Sequence, residues 1–222
     1  MVNKELKLSP HFSLGELCKT SVNSLDGNIP GREEIENLKR LCPWLEELRF
    51  TYNKKYVNMS NDDYPGGRDS PPESGGDRGG LNGGVPGACS GLNKGAIGDS
   101  SDHPAHPGTP PRSALPLCSA KNLGGEEEPI IITSGYRSPE VNRCVGGAYS
   151  SNHLTGCAVD IRCAGVEQAI RYATILLDIA DEWKQDFDEL LIERNRHGRY
   201  WVHFAVRPPN EGNRRKVMII RS

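Results

Sequence analysis

The 222-residue chain carries 27 Lys and Arg against 29 Asp and Glu, for a formal net charge of -2, and 36% of its residues are hydrophobic. That content supports one globular domain with a core and leaves little room for a second. The balanced charge excludes a global basic field, so no nucleic-acid partner is expected.

Met1 to Phe12 holds no apolar run of signal-peptide length, and no stretch approaches a membrane span. The expectation is a soluble, monomeric chain made in the cytoplasm, without signal peptide or membrane insertion. Ser13 and Glu16 stand at capping-box spacing ahead of Leu17 and predict a short helix start. From Arg32 to about Tyr56, Ile35, Leu38, Leu41, Leu45 and Leu48 recur at three- and four-residue steps and make one apolar stripe. Pro43 is expected to kink that helix or to begin a second one.

Residues 57–123 hold 13 of the 25 glycines and 9 of the 16 prolines, a density that marks an aperiodic, low-complexity, disordered insertion. Closing so long a loop costs only about 2.5 kcal/mol more than closing a short one, which a domain can tolerate. The flanks are therefore read as one domain spanning 1–222, interrupted by the insertion. Within it, Asp102-His103-Pro104-Ala105-His106 is read as a solvated segment rather than a metal patch.

After the insertion, Pro129 to Thr133 is a β-branched run ended by Ser134-Gly135 and predicts a buried strand leading into a loop with Tyr136 and Arg137. Cys157 to Ile161 predicts a second strand, Gly165 to Trp183 a helix, and Asp188 to Arg194, Tyr200 to Val206 and Lys216 to Arg221 three more strands. Strands and helices do not alternate regularly, which favours an α+β fold with a small, mainly antiparallel sheet. The seven cysteines include no CxxC pair and are read as reduced thiols.

His153 and Asp160, seven residues apart, and His203 offer two imidazoles and a carboxylate, a set that can hold zinc and leave one position open. Asp160 lies in an otherwise apolar strand and calls for a cationic partner. Spacing alone more often marks a hydrogen-bonded or surface pair than a metal site.

Three ordered motifs go further: Ile131-Ile132-Thr133-Ser134-Gly135-Tyr136-Arg137-Ser138, then Ser151-x-His153-x-x-Gly156-x-Ala158-x-Asp160, then Trp201-Val202-His203. They resemble the zinc D-Ala-D-Ala carboxypeptidase family that includes phage endolysin peptidases. Ser9-Pro10-His11-Phe12-Ser13-Leu14 with Glu16-Leu17, and the helix through Asn37-Leu38 to Leu48-Arg49, also resemble its N-terminal region. The resemblance implies the fold shared with the hedgehog signalling domain. It also implies one zinc ion on His153, Asp160 and His203, and hydrolysis of peptidoglycan stem peptides in the bacterial cell wall. Arg137 is implied as the residue engaging the substrate carboxylate or carbonyl, with Ser151 and Tyr136 as further substrate contacts.

Many relatives place a carboxylate three residues before the last histidine, where this chain has Tyr200. Glu193 is the substitute. A three-residue loop Arg196-His197-Gly198 would pair Asn195 with Arg199, Glu193 with Trp201 and Leu191 with His203, setting Glu193 diagonal to His203 on one face. Asp188 and Glu189 are expected to lie further from the histidine along the strand, and His197 to be solvated at the hairpin tip. The competing readings are a catalytically inactive zinc-containing wall-binding or structural module and a cytosolic D-Ala-D-Ala dipeptidase.

Overall fold

The computed structural model describes residues 3–58 and 127–221. In the first stretch, Ser13 caps the short helix α1 (Leu14–Leu17), and the reciprocal contacts of Ser13 and Glu16 form the expected capping box. Helix α2 (Arg32–Tyr52) follows and runs on as a π-helical turn, Asn53–Val57. Pro43 lies inside α2 and does not begin a second helix. Leu41, Cys42, Trp44 and Leu45 are buried on both sides of it, so packing holds the helix together across the missing N–H.

The second stretch supplies β1 (Ile132–Ser134), α3 (Pro139–Cys144), β2 (Ala158–Cys163), α4 (Val166–Trp183), β3 (Glu189–Arg194), β4 (Tyr200–Ala205) and β5 (Lys216–Arg221). Helix α3 was not foreseen; Ser138 caps it by accepting from the Val141 N–H. Strand β1 is shorter than the β-branched run suggests, and Ile131 faces outward.

The five strands lie in the order β1-β2-β4-β3-β5. All neighbours are antiparallel except β3 and β5, which run parallel. The expected α+β class and mainly antiparallel sheet hold. One hydrophobic core draws on both stretches of chain: Leu38, Leu41, Trp44 and Leu45 of α2, Ile175, Leu176 and Ile179 of α4, and Val159, Ile161, Leu190, Ile192, Val202 and Phe204 of the sheet. Trp44 stands 5.2 Å, ring centre to ring centre, from both Trp183 and Phe204. Strand residues alternate between faces, so the sheet's other face is left to Asp160, Leu191, Glu193 and His203.

The insertion lies outside the described residues apart from Val57 and Asn58, as do Cys89, Cys118 and the Asp102 to His106 segment. Cys18, Cys42, Cys144, Cys157 and Cys163 are free thiols, as expected.

Candidate metal centre

Strands β2 and β4 pair so that Asp160 lies directly opposite His203, which brings two side chains on one face within reach of each other. His153 comes from the turn-rich loop before β2. Its backbone carbonyl accepts from Arg137 N–H (3.0 Å) and Gly156 N–H (3.2 Å), fixing the loop against the segment after β1. Gly156 turns the chain back towards β2 with φ +70°, and a Cβ there would lie 2.6 Å from the Glu34 carbonyl oxygen. A glycine is thus required on two counts. At Gly135 a Cβ would stand 2.0 Å from the Leu17 carbonyl oxygen, so that turn too must pass bare against α1.

The result is a close triangle. His153 Nε2 lies 3.2 Å from Asp160 Oδ1 and 3.2 Å from His203 Nδ1, and His203 Nδ1 lies 2.9 Å from the same Asp160 oxygen. Four ligands at about 2.0–2.1 Å around a zinc ion stand roughly 3.3 Å from one another, so the three atoms are spaced as one face of such a tetrahedron. All three residues are buried, and together they form a group that could hold a metal ion.

Proton placement supports the same reading. His153 Nδ1 donates to the Gly135 carbonyl oxygen at 2.6 Å, which in the neutral ring leaves the Nε2 lone pair facing inward. His203 Nε2 faces the Glu189 carboxylate at 3.7 Å, with Nδ1 inward. Two imidazole lone pairs and a carboxylate oxygen then converge on one buried point, an arrangement that demands a positive charge between them.

The three groups shift one another strongly. Burial would raise the Asp160 carboxyl, but His153 and His203 outweigh it and hold it well below the usual carboxylate range. Burial lowers His153 despite Asp160. For His203 burial also works downward, yet the contacts with Asp160 and Glu189 raise it to about 9.

Arg137 reaches the cluster, where Nη2 binds Asp160 Oδ2, the oxygen outside the triangle, and Nε donates to Ser134 Oγ at 2.7 Å. The guanidinium therefore orients the carboxylate. Ser151 Oγ accepts from the His153 N–H at 3.4 Å, the local backbone role open to it. Tyr136 is 7% exposed and belongs to the hydrophobic core, where burial raises its hydroxyl pKa.

The β3–β4 hairpin has the expected register. Asn195 N–H donates to Arg199 O at 3.1 Å, Glu193 pairs with Trp201, and Leu191 pairs with His203. Gly198 takes φ +79°, and His197 is exposed in the turn. Tyr200, an odd number of residues from His203, packs against the core on the opposite face.

Glu189 does not lie further away than Glu193. It pairs with Ala205, one diagonal step from His203 on the other side. Its Oε2 also accepts from Asn152 Nδ2 at 3.1 Å, while Oε1 meets Lys216 Nζ and Arg214 Nη2, each at 3.1 Å. The contact with His203, together with Lys216 and against burial, pushes Glu189 down to about 2. The parity of the hairpin register already implied this position, but the reading along the strand placed Glu189 too far off. Behind it, buried Asp188 is gripped by Arg207 (3.0 Å), Arg214 (2.7 Å) and Asn152 (2.7 Å).

Residues 117–197 match the Peptidase M15 family. The match bears out the family read from the motifs. It contains Arg137, His153, Asp160 and Glu193 and ends before His203, so the last member of the cluster is joined to the M15 segment by strand pairing. No curated protein matches the chain. The chain thus carries a peptidase M15 segment and a His/Asp cluster able to hold a metal. Among the described residues no helix is long and apolar enough to cross a membrane.

Proposed function

We propose that the protein is a zinc peptidase that hydrolyses peptide bonds in peptidoglycan stem peptides, as a D,D-carboxypeptidase or an endolysin-type endopeptidase. The observation that carries the reading is the convergence of His153 Nε2, His203 Nδ1 and Asp160 Oδ1, with the outer nitrogen of each imidazole facing an acceptor. Two nitrogens and one oxygen suit zinc and leave one position open, as a catalytic site requires. Bound there, the ion would supply Lewis acidity and lower the pKa of water from about 15.7 to about 7.

The remaining chemistry falls to the chain. Two carboxylates, Glu189 and Glu193, flank His203 diagonally on its own face. Both oxygens of Glu189 are engaged by His203, Asn152, Lys216 and Arg214, which makes it a poor proton acceptor. Glu193, the other diagonal neighbour of His203, is assigned as the general base, taking the proton of the attacking water and passing it to the leaving amine. Arg137, anchored by Ser134 and Asp160, has a five-donor fork and would present its remaining donors to the substrate carbonyl or carboxylate. Ser151, half-buried beside His153, is a weaker candidate for a substrate contact. The protein would act as a monomer on the bacterial cell wall.

Mass spectrometry of muropeptides from purified peptidoglycan tests the reading and names the bond. Zinc-loaded protein should release new fragments, and chelator-treated protein none until zinc is restored. Tyr200, standing where many relatives have a carboxylate, favours one other reading, a silent wall-binding module. Zinc-loaded protein that binds peptidoglycan without releasing fragments would select it.

A further inference from the structure

We propose that Glu189 is a positioning residue for the metal centre, holding His203 in the tautomer and ring orientation that turn the Nδ1 lone pair towards the cation. The inference rests on the zinc reading above.

An imidazole can offer a metal either nitrogen, and a half-turn about its Cβ–Cγ bond exchanges Nδ1 with a carbon. Something must select one state, and in metal sites it is commonly an acceptor on the other nitrogen. His153 has such an acceptor in the Gly135 backbone carbonyl, at 2.6 Å. For His203 the corresponding group is the side chain of Glu189, whose Oε2 stands 3.7 Å from Nε2. That separation is electrostatic contact rather than a formed hydrogen bond. With a cation on Nδ1, in place of the proton that Asp160 at 2.9 Å would otherwise draw there, the ring proton must sit on Nε2. A carboxylate so placed stabilises it there and disfavours a ring flip that would turn carbon towards the carboxylate.

The carboxylate is itself held from two sides. Asn152 Nδ2 grips Oε2 at 3.1 Å, while Lys216 and Arg214 hold Oε1 at 3.1 Å each, so one oxygen is fixed towards His203. Asn152 immediately precedes His153, so the segment carrying one histidine anchors the acceptor of the other. Lys216 belongs to β5, an edge strand of the sheet, and pairs with Glu189 across the parallel ladder. The edge strand thereby supports the metal centre without touching it.

Zinc affinity, measured by competition with a chromophoric chelator, is the test. Glu189→Leu should weaken zinc binding about 10- to 100-fold, with an unchanged far-ultraviolet circular dichroism spectrum. Glu189→Gln keeps an acceptor but loses the charge, and should fall between the parent and the Leu variant. Glu193→Gln removes an equal charge from the other diagonal and should weaken zinc binding less than Glu189→Leu does, because it is Glu189 that stands 3.7 Å from the outer nitrogen of His203. In zinc-loaded parent, long-range proton–nitrogen spectra should show His203 protonated at Nε2.

A folded Glu189→Leu protein that binds zinc as the parent does would overturn the inference and leave the zinc reading intact. Should that variant fail to fold, Glu189→Gln decides: a loss of threefold or more supports the inference, and parental affinity overturns it. A parent that takes up no zinc removes the metal reading and this inference together.

Discussion

The two faces of the five-stranded sheet are built from the same strands by the same alternation, yet they solve opposite problems. On one face Val159, Ile161, Leu190, Ile192, Val202 and Phe204 are buried with α2 and α4 in an apolar core. On the other, Asp160, Glu189, Glu193 and His203 gather polar groups within one or two residues of those core positions. The core face is stable because its surface leaves water. The polar face concentrates buried lone pairs that call for positive charge: Arg137 on one oxygen of Asp160, the cations around Asp188 and Glu189, and, in the proposed function, a metal held by the central cluster. Stability and chemistry are therefore separable by a single step along a strand, and neighbouring substitutions should show it.

The largest separation is expected between His203 and its neighbour Phe204. His203→Ala should abolish zinc binding and reduce peptidoglycan hydrolysis to the level of a blank. Its chelator-treated form should melt close to chelator-treated parent. A His203→Ala protein that retained both zinc and activity would remove the metal centre from the function. Next comes Glu193→Gln, for which turbidity clearance should slow roughly 10²- to 10⁴-fold with zinc content unchanged. Parental activity in that variant takes Glu193 out of the mechanism.

Phe204→Ala, on the core face, should cost about 3–5 kcal/mol in urea unfolding. The fraction still folded should bind zinc normally. Weakened zinc affinity in folded Phe204→Ala protein would mean that the two faces are coupled.

The smallest effect concerns acid. Burial would raise Asp188, but Arg214, Asn152 and Arg207 outweigh it and hold it below the usual range. A carboxyl lowered on folding contributes stability that is present above its unfolded pKa of about 3.9 and lost as pH falls through the folded value. Thermal midpoints in chelator should therefore hold between pH 7 and 5 and fall below about pH 4, with Asp188→Asn flattening part of that fall. An acid limb identical in parent and variant would show that Asp188 is not among the groups responsible.

Much of the site was legible before the fold was known, and the reasons are local. The β3–β4 hairpin follows from Arg196-His197-Gly198, with Gly198 at φ +79°, and its register then places Leu191 opposite His203 and Glu193 one step away. The turn at Gly156 and the capping box at Ser13 are likewise written within a few residues. Pro43 shows the limit of such signals. Its missing N–H argues for a break, but the buried side chains around it carry α2 through.

What only the tertiary structure decided is the meeting of segments far apart in the chain. Sequence order names His153, Asp160 and His203 as candidates, but the β2–β4 register alone sets Asp160 opposite His203, and the contact of His153 with Gly135 alone aims its Nε2 at them. The same holds for Arg137, which settles on Asp160, for Tyr136, which turns into the core, and for Glu189, whose oxygens are claimed by residues of three different segments. Turns and alternation act over two to four residues and are visible in one dimension. The pairing of distant strands depends on which buried surfaces fit together, and that is settled only when the chain closes on itself.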